Sequence, residues 1–360
     1  MKKPSQSGFS LLELLVVAAI LIVVIVATLD TLSQAVNASQ AVSAVAQVQD
    51  GARASLNIIV RDLVQAGSGL PTGGVPIPYT ASGSPGPVPL AINRPSPPGF
   101  KYTFPVAQVL TSLTPGAGLG LASLGHNTDM ITIIYADNTL PWTTMAPVNN
   151  PKTPKCAGTL AADGSSATFD TTTKGCATLS GGNVSVLPGD LIMFSSANAN
   201  AMEVVTNVNG SVLTFAAGDA FNLNGNAADS GTMAQLQSPP GTYPPTSAIR
   251  IWMISYYIDN TTNPKDPRLM RQVNFNPPQI LSDDIEDLQF AYDVINAVAT
   301  VPANDARAPV APDSPNQIRK VDVYLSARSD QLFSQTGQPF RTNLWTQVSS
   351  RSLSFVSRYN

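Results

Sequence analysis

Residues 1–29 read MKKPSQSGFSLLELLVVAAILIVVIVATL. Lys2 and Lys3 form a short positive head, Gly8 closes a small polar segment, and an apolar run fills 9–29. That run is long enough to cross a hydrocarbon core of ~30 Å as a helix. Lysines ahead of a span keep the N-terminus cytoplasmic, so the residues after Leu29 are expected outside. Glu13 is the anomaly, because a carboxylate at the centre of a membrane helix costs roughly 2.5–3.5 kcal/mol on insertion scales. A secretory signal peptide has a shorter apolar region, of about 7–15 residues, ending at a small-residue cleavage site. An uncleaved signal anchor fits the length and leaves Glu13 unexplained.

Gly8-Phe9-Ser10-Leu11-Leu12-Glu13-Leu14 resembles the prepilin peptidase signature of type IV pilins and type II secretion pseudopilins. The resemblance implies cleavage after Gly8 and N-methylation of the new terminal residue, Phe9. It implies that Glu13 pairs with the N-terminal amine of a neighbouring subunit, so that the buried charge meets a cation on assembly. The implied partners are the prepilin peptidase, the inner membrane before assembly, and other major and minor pilins reached through the N-terminal helix.

Beyond the span, Val45, Val48, Ala52, Leu56, Ile59 and Leu63 recur every three or four residues, the period of one helix face. No proline interrupts 9–70, and Gly67-Ser68-Gly69 followed by Pro71 is a stop signal. One helix of nearly sixty residues, about 85 Å long, is therefore expected. A cleaved leader at 1–8 precedes it, and its parts are a transmembrane and assembly helix at 9–29 and an amphipathic half at 30–70.

The remainder, 71–360, reads as an exported β-rich head. Strands are expected at 129–135, 189–194, 201–208, 211–215, 249–258, 288–294 and 318–329. Each is a short apolar, β-branched or aromatic run bounded by Gly, Asn or Pro. The segment 71–98 holds nine prolines among Gly and Ser, which excludes a central strand or a helix and reads as a long loop. Inserts are expected at 71–100, 141–188 and 301–316. The fold class is α+β: a long N-terminal helix packed on a mostly antiparallel sheet, the ladle shape that the resemblance also implies. ARASLNIIVRDLVQAG, PGDLIMF, MEVVTNV, DDIEDLQFAYDV and VDVYLSARSD together resemble PilW-like minor pilins and the J-type minor pseudopilins of type II secretion. Asp30 occupies the depth at which many major pilins carry a kinking proline, so the resemblance is to a minor subunit.

Cys156 and Cys176 are the only cysteines, and export would place them where disulfides persist. A bridge between them would close about twenty residues and stabilise by roughly 3 kcal/mol in the chain-entropy model. The alternative is two free buried thiols. Ser282 to Leu288 reads SDDIEDL; a helix N-terminus with acids in its first turn is favoured over a calcium loop at Asp283–Asp287, which lacks alternating acids and a central glycine.

Charged residues are only 12% of the chain, its formal net charge is −3, and no basic run exists, so nucleic acid is not indicated as a partner. His126 is the single histidine and reads as a turn residue, which rules out a histidine-built metal site within one chain. No nucleophile elbow, phosphate loop or dinucleotide fingerprint is present. Neither an enzyme nor a cofactor is expected, and no catalytic or metal residue is assigned. The functions in view are a minor pilin near the fibre tip, a J-type pseudopilin, and a tip-displayed module whose loops 71–100 and 141–188 touch a surface, a secreted substrate or DNA. The cellular course expected is a single-pass inner-membrane protein, then a surface pilus or a periplasmic pseudopilus.

Overall fold

The computed structural model describes residues 10–80, 88–107, 109–137, 143–145, 158–170, 179, 185–225, 231–295, 303–306, 308–309, 314–332 and 337–350. The long helix runs Leu11–Gln65, 55 residues or about 82 Å. It stops five residues short of the expected end. Ala66 caps it, and Gly67 turns away in a left-handed conformation (φ 76°) while its N–H bonds the Ile134 carbonyl at 2.9 Å. Glycine adopts that φ without the steric cost a Cβ would bring.

The head is built from antiparallel sheets. The largest has eight strands, with the order Asn200–Val204, Leu191–Ser196, Thr246–Asp259, Met130–Ala136, Leu113–Gly116 along its main path. Thr246–Asp259 is its spine and also pairs with Thr143–Met145 and Arg268–Val273, the latter continuing to Gln279–Ser282. The apolar run IRIWMISYYI becomes intelligible here. Successive strand residues face opposite sides. Ile254, Tyr256 and Ile258 enter the core beneath the helix, while Ile249, Ile251 and Met253 enter a second core on the other face. Both faces are covered, so the strand shows no polar alternation.

The second sheet orders Ala303–Ala306, Ile285–Val294, Ile318–Leu332 and Pro339–Ser349. Its Leu288, Phe290, Tyr292, Val321, Val323 and Leu325 share one core with Ala52, Ile59 and Leu63 of the helix. Burial of each large aliphatic side chain there contributes about 1.5–3 kcal/mol. A third sheet of four short strands, Thr159–Leu160, Ser166–Thr168, Val212–Thr214 and Asn207–Asn209, packs on a separate cluster with Phe194, Phe215 and Leu236.

The α+β expectation and most of the strand positions agree with this architecture, with three differences. The single strand expected at 201–208 is two, Asn200–Val204 in the main sheet and Asn207–Asn209 in the third. Ser282–Leu288 is not a helix start. Gln279–Ser282 ends in a tight turn with Asp284 at φ 62°, and Ile285–Val294 begins at once. Partners in the tertiary structure outweigh the local capping signal. Glu286 pairs with Arg341 at 2.7 Å, and Asp287 meets His126 at 3.1 Å. Strands that escaped the sequence reading include Leu113–Gly116, Arg268–Val273, Gln279–Ser282 and Pro339–Ser349, together with shorter ones such as Thr143–Met145, Ser166–Thr168 and Ala303–Ala306.

In the proline-rich insert, the described residues form two-residue bridges only, such as Val75–Pro76 with Val109–Leu110. They nevertheless supply buried Val75, Ile77 and Ile92 to the second core. Arg94 is buried there and donates to Thr132 Oγ1 (2.8 Å), Pro115 O (2.9 Å) and Thr114 O (2.7 Å). Burial pulls its pKa down to about 10. This stretch backs the main sheet.

Candidate functional site

Ser10 sets the start of the helix. Its extended backbone (φ −78°, ψ 147°) makes it the N-cap, and its Oγ accepts the Glu13 N–H at 3.2 Å. Ser10-Leu11-Leu12-Glu13 is thus the S-x-x-E pattern of a capping box, with the hydroxyl half of the box made. Glu13 sits in the first turn, where the positive end of the helix dipole favours a carboxylate. Lys2, Lys3, Gly8 and Phe9 lie outside the described residues, as do Cys156 and Cys176, most of the insert 141–188 and part of the insert 301–316.

From Leu11 to Gln40 every helix residue is exposed. The helix is long and apolar enough to cross a membrane by length and composition. Leu11 is 82% exposed and Val23 68%, and this apolar surface is not covered by any described part of the head. Each such side chain forgoes about 1.5–3 kcal/mol of burial until lipid or another helix covers it.

At the end of the run and just past it, the polar groups turn inward on their own helix. Thr28 Oγ1 donates to Ile25 O (2.8 Å), Thr31 Oγ1 to Ala27 O (2.8 Å), and Ser33 Oγ to Asp30 O (2.8 Å). Gln34 Nε2 donates to Asp30 Oδ2 at 3.0 Å. Polar side chains satisfied within the segment suit an environment poor in water.

The second half of the helix is fixed to the head by a buried carboxylate. Asp62 is 1% exposed and lies in the stripe formed with Ser55, Ile59 and Leu63. Tyr256 donates to its Oδ2 at 2.5 Å, Tyr135 to its Oδ1 at 3.3 Å, and Arg271 Nε to Oδ2 at 2.9 Å. Burial first, and then the carboxylate, push both phenols above their ordinary pKa. One helix residue therefore engages three strands of the main sheet. From the other sheet, Ser350 Oγ donates to Ala66 O at 2.9 Å. Gly51 lets the helix approach the turn at Ser282, whose Oγ would lie 2.9 Å from an added Cβ. Helical glycine costs roughly 1 kcal/mol relative to alanine, and close approach accounts for it here. The sequence reading passed over Asp62, although an acid inside an apolar helical stripe was a signal available to it.

Elsewhere, His126 belongs to the hairpin joining Ala122–Ser123 to His126–Asn127, in keeping with its expected place beside a turn. A cleft of about 340 Å³ opens between the helix and the turn, lined by Gln47, Gly51, Ser282, Asp283, Asp284 and Asp330. Burial, then the charge of Asp330, push the Asp284 carboxyl up to about 6. Arg268 pairs with Asp283 at 3.0 Å and with Asp266 at 3.1 Å. Among the described residues, no three His, Cys, Asp or Glu side chains are grouped to hold a metal ion.

Residues 3–29 match the family model of the prokaryotic N-terminal methylation motif. No curated protein and no solved structure matches the chain. The motif supports a pilin-like chain of the type IV pilin and pseudopilin kind, a substrate for prepilin peptidase and for assembly with other pilins. With the apolar helix it fits a membrane-anchored subunit, and families carrying this motif are structural rather than enzymatic.

Proposed function

We propose that this chain is a PilW-like minor pilin. Prepilin peptidase cuts it between Gly8 and Phe9 and methylates the Phe9 amine. The processed chain waits in the inner membrane with its N-terminus cytoplasmic and its head exported. It then enters a type IV pilus, helping to initiate assembly or sitting near the tip.

The observation that carries this reading is the division of one continuous helix. Its first part, Leu11 to Gln40, is exposed and mostly apolar, while its second is bolted to the head through Asp62. An apolar rod on a rigid mount suits insertion among other such rods. In a fibre the helices cover one another, and water that reached Glu13 near the cytoplasmic interface is lost. An unpaired carboxylate in that setting is costly, whereas one facing a neighbour's Phe9 ammonium is compensated in part. Helix burial supplies most of the attraction, and the amine–carboxylate pair selects the axial step. The N-cap bond from Glu13 N–H to Ser10 fixes the first turn, so the carboxylate is presented from a defined geometry.

Glu13→Val tests this. Cleavage, membrane insertion and the exported head should persist, while the share of protein in sheared fibres, relative to membranes, should fall. Glu13→Asp should give an intermediate share because its shorter arm misses the amine. Equal shares for wild type and Glu13→Val, with normal cleavage in both, would remove the assembly role of this residue.

A further inference from the structure

The chain contains two Asn-Gly pairs, Asn209-Gly210 and Asn224-Gly225. This dipeptide is prone to self-reaction because glycine has no side chain to obstruct it. The glycine amide nitrogen attacks the asparagine side-chain carbonyl carbon and forms a new N–C bond. The bond from that carbon to the side-chain nitrogen breaks, and ammonia departs with the proton that the glycine amide gave up. Water then opens the cyclic imide at either carbonyl, leaving aspartate or isoaspartate. No oxidant or catalyst is needed. The reaction does require a rotatable carboxamide, a free glycine N–H and access for water.

The two sites differ in all three requirements. Asn224 is 5% exposed. Its Oδ1 accepts the Val204 N–H at 2.7 Å, and its Nδ2 donates to Val204 O at 2.8 Å and to Ala216 O at 2.9 Å. The nucleophile there is engaged as well, with Gly225 N–H donating to Leu223 O at 2.9 Å. The carboxamide cannot rotate, and the amide cannot attack without breaking those bonds.

Asn209 and Gly210 are both exposed, at the tip of the hairpin joining Asn207–Asn209 to Val212–Thr214. Asn209 pairs with Val212, leaving Gly210-Ser211 as a two-residue loop, and Gly210 has φ 59°. Positive φ at the first central position and not at the second is the II′ type of hairpin turn, in which glycine is the preferred first residue. The ladder closes through Asn209 and Val212, so the Gly210 N–H is not one of its rungs.

We infer that Asn209 is a spontaneous modification site: in the folded protein it converts with water to aspartate and isoaspartate, while Asn224 is held unreactive by its hydrogen bonds. The product makes the net charge of −3 more negative by one, and the isoaspartate form adds a backbone methylene to the turn. Asn207–Asn209 is the outer strand of its four-stranded sheet, so the change falls at an edge rather than in a core. The modified fraction then rises with the age of the protein, which gives the chain a chemical clock.

The test is peptide mapping of the full-length, detergent-solubilised protein, aged in neutral buffer either folded or fully denatured. In the folded sample Asn209 should gain aspartate and isoaspartate about tenfold faster than Asn224 or more, the ratio given by ~1.4 kcal/mol of barrier. In the denatured sample the two rates should converge. Asn209→Gln should abolish most of the time-dependent acidic charge variant of the folded protein. Equal rates at the two sites in the folded chain would overturn the proposal. So would an Asn209 that stays intact when folded while reacting when denatured.

Discussion

Replacing Asp62 with asparagine keeps the side-chain volume and removes the charge to which the helix is bolted. Arg271 would lose its counterion and, among the described residues, keep the Tyr256 hydroxyl, 3.2 Å from its Nε. One of the two tyrosine hydroxyls would meet an NH2 group in place of a carboxylate oxygen. A hydrogen bond to a charged group contributes about 1.5–3 kcal/mol. Breaking one side of a buried pair costs roughly 3–5 kcal/mol. Because the Arg271 side chain is 15% exposed, water would offset part of that loss, and a destabilisation of about 3 kcal/mol is expected. Arg61 lies 3.7 Å from the same carboxylate but its side chain is 64% exposed, so it adds little. The assay is denaturant unfolding of the full chain in detergent, with amide exchange read residue by residue. Protection should fall first over the helix from Ala52 to Ala66, and less in the strand Thr246–Asp259. Arg271→Met placed on Asp62→Asn should recover part of the loss, since no unpaired cation then remains. An unfolding midpoint unchanged by Asp62→Asn would refute the claim that this carboxylate mounts the helix.

Glu203 predicts a pH effect: it is 3% exposed, accepts the Met233 N–H at 2.9 Å, and burial pushes its carboxyl up from 4.5 to about 8. The folded state thus keeps a proton that the unfolded state releases, so stability is fullest below about 4.5 and declines as pH rises toward about 8. Glu203→Gln should flatten that decline and stabilise the protein at the alkaline end by up to about 5 kcal/mol, the shift taken at ~1.4 kcal/mol per unit, checked by unfolding midpoints across the window. For Cys156 and Cys176, the expectation is an oxidised pair in exported protein. Thiol labelling under denaturing, non-reducing conditions should then modify neither, whereas two labelled thiols per chain would mean that no bridge forms.

The helix was legible because two different patterns adjoin without a proline: an apolar run all round, then an apolar stripe with period near 3.6. The spine strand was legible for a related reason, since burial on both faces leaves a continuous β-branched and aromatic run. Pro339–Ser349 was missed because it is a sheet edge. Residues such as Arg341, Asn343, Trp345 and Gln347 face outward, and Trp345 is 65% exposed, so its apolar content is low for a strand. The turn at Asp284 was misread because a cluster of acids is a valid local signal for a helix start. Its partners Arg341 and His126 lie far away in sequence. The same distance hid the Asp62 network, whose tyrosines and arginine come from three separate strands. Of the candidate site, Ser10 and Glu13 could be placed on the helix, while the cleavage position rests on the motif.

Intact-mass measurement of the protein extracted from membranes tests the pilin reading most directly. The mature chain is predicted to lack residues 1–8, to begin at Phe9, and to carry one methyl group on the Phe9 amine. A mature mass that retains Met1 to Gly8 would contradict it.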